Sequence, residues 1–245
     1  MSDPMQSRPS KKRSEGKRAS VHQGQPTWRL AFYLEGLFYA FEMESIVLKR
    51  LKGGLQRLQR RFQTKTSLHP ATVYPLLDAW SYVDVIHRLR ELLRQVPKLK
   101  TRDAAVRSFL DETASADHLR RYVQHMRRQT GTTPGPAGPL WGALSWVDSD
   151  GGTEVCHVEA SGTQRTGIRA WACPYDREES RFRTKLVLVA DNLTFDIEAA
   201  HQAVQGLRRF MDAWVSCQGY GEYFGDNAAI FQTSPSDRSE AVSGF

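Results

Sequence analysis

The sequence is poor in the features that mark the best-defined protein classes. Its 245 residues hold three cysteines, Cys156, Cys173 and Cys217, none in a C-x-x-C pair. A redox dithiol is therefore excluded, and Cys156, His157 and Cys173 form only a partial zinc set with no clear fourth ligand. An odd count with no framework fits a reducing cytoplasm. No apolar run nears the roughly 18 uninterrupted residues of a membrane span. The N-terminus is basic but no apolar segment follows it, so a secretory signal is not expected. There is no Gly-rich phosphate loop, no G-x-S-x-G elbow and no H-E-x-x-H pair. No cofactor, no metal and no membrane contact are expected.

What is present is an ordinary globular composition, 40% hydrophobic and 25% charged, on a chain long enough to bury a core. The net charge of +7 is unevenly placed. Much of it lies in "SRPSKKRSEGKRAS", which offers nothing apolar to fold around. Residues 1–26 read as a disordered basic tail, either a solubilising arm or one that adds sequence-independent attraction to nucleic acid or an anionic membrane. Residues 233–245 read as a second flexible tail.

Between the tails the hydrophobic period changes once. Leu30, Leu34, Leu37, Phe41, Leu48 and Leu51 repeat at helical spacing behind Thr27, a candidate N-cap. Gly53-Gly54 should weaken that helix. A second helix carries Leu77, Trp80, Val83, Leu89 and Leu93 and is stopped by Pro97. A third is expected behind Thr101, and a fourth behind Ser115 that Gly131 closes. After the Pro/Gly-rich linker, "LWGALSWV", "TEVCHVEAS", "TGIRAWACP" and "RTKLVLVAD" are short and rich in β-branched and aromatic residues. They read as antiparallel strands. "TFDIEAAHQAVQGLRRFMDAWVSCQ" reads as a closing amphipathic helix. Helices, then sheet, then helix is an α+β pattern. The expected division is a helical bundle over 27–130 and an antiparallel sheet with its helix, packed on the bundle, over 139–218.

Chemistry concentrates in "LRRYVQHMRRQ", Leu119 to Gln129. Histidine moves protons near neutral pH, and arginine offers a permanent charge with a rigid donor fork for phosphate. Arg121 and His125 are four residues apart and share a helix face. Arg120 and His125 are five apart, roughly 140° around the helix, so they flank a groove. A site needing both would gain from a second subunit. The plain alternative is a solvated basic helix end, with Arg127 and Arg128 against the helix dipole.

"RRYVQH" resembles the R-x4-6-H signature of the HEPN superfamily, whose members are bundles of four to five helices. The preceding "LLDAWSYVDVIHRLRELL" is similar to bacterial proteins with this bundle. The likeness covers about Thr27 to Gln129. It implies an N-terminal HEPN-like bundle and a metal-independent endoribonuclease. Its partner would be RNA, and its product a 2′,3′-cyclic phosphate. It further implies a homodimer with Arg120 and His125 catalytic, and a setting with an antitoxin or defence-system partner. Arg121 departs from the pattern, since a polar residue usually follows the motif arginine; it would orient His125 or bind phosphate itself. A non-catalytic module that binds nucleic acid, nucleotide or protein is the other reading.

Supporting residues are expected on the second helix. Asp84, His87, Arg88 and Glu91 lie on one side of it, with Asp84 and Arg88 spaced as an ion pair that could hold the motif from behind. Trp80, Trp141, Trp146 and Trp214 read as core. Asp176, Glu178 and Glu179 read as a charged loop. Phe32, Leu34, Phe38, Phe41 and Ile46 spread apolar surface around more of the first helix than one core contact needs, which predicts dimerisation through the helical part.

Overall fold

The structure, a computed structural model, describes residues 27–64, 71–132, 141–147, 155–159, 173, 175–190 and 193–220. Both expected tails, the linker at 133–140 and nearly all of the strand expected at 166–174 lie outside the described residues. The chain is α+β: four helices, a small antiparallel sheet and a C-terminal helix.

Helix α1, Trp28–Gln63, starts where Thr27 accepts a hydrogen bond from the Leu30 amide at 3.4 Å. It runs unbroken through Gly53-Gly54 and continues through "LQRLQRRFQ". The reason is packing. A Cβ on Gly54 would stand 3.2 Å from the Pro75 ring, so glycine lets helix α2, Val73–Gln95, approach closely. Buried Leu51, Leu55 and Leu58 hold the helix across the weak point. The α1 and α2 helices form the main hairpin of the bundle.

Helix α3, Ala104–Glu112, begins after Asp103, not at Thr101. Helix α4, Ala114–Thr132, follows after one residue, so Ser115 lies inside its first turn and Gly131 does not end it. Thr113, at the junction, is fully buried; its hydroxyl donates to the Phe109 carbonyl and accepts from Arg90. That junction bends the chain so that α4 returns along α2.

The sheet has the order β2-β1-β5-β6, all antiparallel: β2 Val155–Glu159, β1 Ala143–Val147, β5 Leu186–Ala190 and β6 Leu193–Asp196. A two-stranded ribbon, β3 Tyr175–Asp176 with β4 Arg181–Phe182, forms where only a charged loop was expected. β6 was also unexpected, because its residues were taken into the following helix. Asp196 ends the strand and caps helix α5, Ile197–Cys217, accepting from the Ala199 amide at 2.9 Å.

Leu144, Trp146, Leu186, Leu188 and Phe195 turn one sheet face into the core shared with the helices. Val187, Val189 and Cys173 turn the other face to Phe182 of the ribbon. Every residue of β5 is therefore buried. One apolar cluster includes residues of α1 to α5 and of the sheet. Trp146 is buried as expected, but Trp141 is 46% exposed, a correction. Among the described residues no helix is long and apolar enough to cross a membrane.

Candidate functional site

Antiparallel packing of α2 and α4 builds a polar seam along one edge of the bundle. At one end Trp80 stacks on Tyr122, their ring centroids 6.4 Å apart, and donates from Nε1 to the Trp141 carbonyl at 2.9 Å. One turn along α2, Asp84 meets Arg88 Nε at 2.7 Å and Arg120 Nη1 at 2.8 Å. Further along, Asp117 Oδ1 faces His87 Nδ1 at 2.8 Å, and Oδ2 takes Arg90 at 2.9 Å and Arg94 at 3.4 Å.

Three of the expected site residues, Asp84, Arg88 and Arg120, are thus brought together. The expected Asp84–Arg88 pair is present, and Asp84 also holds the motif arginine from the neighbouring helix. The side chain of Arg120 is one-third exposed, and both its Nε and the Asp84 Oδ1 it faces are buried without a hydrogen-bond partner among the described residues, so the contact is an ion pair without hydrogen-bond geometry.

His125 and Arg121 lie elsewhere. The core side of α4 is set by Ala116, Leu119 and Tyr122. Arg121 and His125 are exposed on the opposite side, and His118, also exposed, shares that face one turn earlier. Among the described residues no side chain pairs with His125. Arg120 and His125 are therefore on different sides of one helix: the first locked into the seam, the second facing solvent.

Asp117 is the strongest electrostatic feature of the seam. Burial would raise its carboxyl, but hydrogen bonds from Arg90 and His87, with the charges of Arg90 and Arg94, outweigh it and hold the group at about 2. His87, Glu91 and Asp117 present donor atoms within 4.8 Å of one another, a spacing a cation could use. Both Asp117 oxygens are already engaged, and Glu91 is paired with Arg94. The group is an ion-pair lattice that fixes α2 to α4, with the buried Arg90 also donating to the Leu110 carbonyl.

Sequence reasoning missed Asp117, Arg90 and His118, and it missed a second cluster altogether. Glu44 of α1 is fully buried and accepts from the Tyr82 hydroxyl at 2.8 Å and from His201 Nδ1 at 2.9 Å. Glutamate on the apolar side of α1, in step with Leu37, Phe41, Leu48 and Leu51, was the available signal.

No protein-family model, no curated protein and no solved structure matches this chain. The HEPN likeness accordingly rests on the Arg120–His125 spacing and the helices around it.

Proposed function

We propose that the chain binds RNA along the exposed face of α4 and cleaves it as a metal-independent endoribonuclease of the HEPN type. The observation that supports this most is the face of α4 itself: His118, Arg121 and His125 are exposed together on one side, while the motif arginine of the same helix, Arg120, is ion-paired to Asp84 of α2. In the reaction the 2′-oxygen bonds to phosphorus as the bond from phosphorus to the 5′-oxygen breaks. One proton leaves the 2′-hydroxyl and one reaches the departing 5′-oxygen. His125 is assigned one of these transfers, and His118, seven residues earlier on the same face, is the candidate for the other. Arg121, on the His125 face, stabilises the growing phosphate charge, and Arg120, held toward the seam, adds only longer-range charge.

The chain is further proposed to pair through α1. Trp28, Phe32, Tyr39, Met43 and Ile46 are all exposed and fall within roughly 60° of one another around the helix. That stripe faces away from the α2 contact, and α4 packs on α2. Pairing through it would keep the two α4 helices apart, so each copy would carry its own site, not a site shared across the interface.

The non-catalytic module is the second reading, favoured by one observation: Asp84 already takes the Arg120 charge, and His125 has no carboxylate orienting it among the described residues. Fluorescence anisotropy with single-stranded RNA tests the binding that both readings share. Arg121→Ala should weaken binding and reduce the salt slope by about 1. An unchanged affinity would remove α4 as the RNA face.

A further inference from the structure

A second cationic site lies on the other side of the molecule, where the middle of α1 meets the start of α5. An open groove of about 700 Å³ runs there, lined by Ser45, Lys49, Lys52, Gln56, Arg57 and His201. Ser45, Lys49, Lys52 and Gln56 follow one another at helical spacing and form its floor. Four cations reach it, counting Arg50. Two carboxylates answer them at the rim: Asp78 meets Arg50 at 2.8 Å, and Glu198 meets Lys52 at 3.0 Å. Burial pushes the Asp78 carboxyl up, against the pull of Arg50 and Arg57. Lys49 has no ion-pair partner among the described residues.

Beneath the groove is the buried Glu44. A carboxylate has only lone pairs to offer, so His201 carries a proton on the Nδ1 that faces it. The Tyr82 hydroxyl donates to the same oxygen, and burial with the neighbouring Glu44 charge holds that phenol far above its ordinary range, so it remains a donor. The imidazole is thus fixed from behind, and Nε2 is the nitrogen left for the groove.

We infer that this groove binds a phosphate group, with Lys49 and Arg57 as charge partners, the imidazolium form of His201 donating from Nε2–H to a phosphate oxygen, and Glu44 as its positioning residue. The phosphate can come from a free nucleotide or from the 5′ end of an RNA strand; the chemistry of recognition is the same. The site is separate from α4 and does not depend on the reading given to His125.

The test is titration calorimetry of the full chain at low ionic strength with inorganic phosphate, AMP and a 5′-phosphorylated tetraribonucleotide. Each should bind, and the double variant Lys49→Ala with Arg57→Ala should lose at least tenfold in affinity with an unchanged circular dichroism spectrum. His201→Asn should lose a comparable factor, and in the wild type the His201 ring nitrogens should shift in ¹⁵N spectra on addition of phosphate. Tighter binding of the oligonucleotide than of AMP identifies a strand end, and equal binding identifies free nucleotide. No binding of any of the three, or wild-type affinity in the double variant, would overturn the inference.

Discussion

Asp84 and Arg120 meet at 2.8 Å across the seam between α2 and α4. The contact orients the arginine and also cancels part of its charge. Asp84→Asn separates the two effects. RNA binding should tighten about fivefold, the worth of roughly 1 kcal/mol of charge interaction near a surface. Cleavage should fall, because the guanidinium loses its anchor. Anisotropy and a rate measurement on the same preparation check both halves, and unchanged binding would place Arg120 off the RNA path.

Asp117 predicts an acid-sensitive fold. Its carboxyl is held at about 2, below the roughly 3.9 of an unfolded aspartate. A depressed carboxyl contributes stability above the unfolded value and loses it as pH falls toward the folded one. Wild type should therefore lose about 2 kcal/mol from this group between about pH 4 and pH 2. Asp78 and Asp196 are shifted up by burial and act with the opposite sign. The contribution of Asp117 is thus read from the difference between wild type and Asp117→Asn in urea unfolding at several pH values. Parallel acid profiles would contradict it.

The α1 stripe predicts association. Trp28 is 80% exposed, Phe32 62%, Met43 50% and Ile46 57%. Covering these with Phe38 and Tyr39 would remove on the order of 600 Å² per copy, close to the ~800 Å² of a standard interface. Sedimentation velocity should show a dimer in the micromolar range. Phe32→Glu with Met43→Glu should be monomeric with its helical content intact. A monomeric wild type at high micromolar concentration would contradict the proposal.

Gly142 enters β1 with φ of 81°, and a Cβ there would lie 2.7 Å from the Val189 carbonyl oxygen. Both the backbone conformation and the contact exclude a side chain. Gly142→Ala should cost about 1–3 kcal/mol in thermal or urea unfolding. Gly206, with nothing near its Cβ position, is the control: Gly206→Ala inside α5 should be neutral or stabilising by up to about 1 kcal/mol.

Local signals were legible in the sequence and distant ones were not. The period of Val83, Leu89 and Leu93 and the β-branched run at Leu186–Ala190 gave the right elements, because burial alone sets such patterns, although Leu77, read into the same stripe, is exposed and its neighbour Leu76 is the core residue. β6 was missed since four residues carry little alternation and Asp196 serves as strand end and helix cap together. Why the helix holds at Gly53-Gly54 could not be read, because the contact that uses Gly54, Pro75, comes from another helix. The same division holds at the sites. Asp84–Arg88 is a one-turn pair and could be read directly. Asp84–Arg120 and Glu44–His201 join residues far apart in the chain, and only the packing of α2 on α4 and of α1 near α5 brings them together.

The proposed activity is tested most directly by cleavage of a 5′-labelled single-stranded RNA with EDTA present, comparing wild type with His125→Ala. Wild type should release fragments ending in 2′,3′-cyclic phosphate. His125→Ala should be slower by about 10²–10⁴, the usual loss for a proton-transfer group, while keeping its RNA affinity. Wild-type protein that binds the RNA and leaves it uncut, or a His125→Ala variant that cuts at the same rate, would contradict the account.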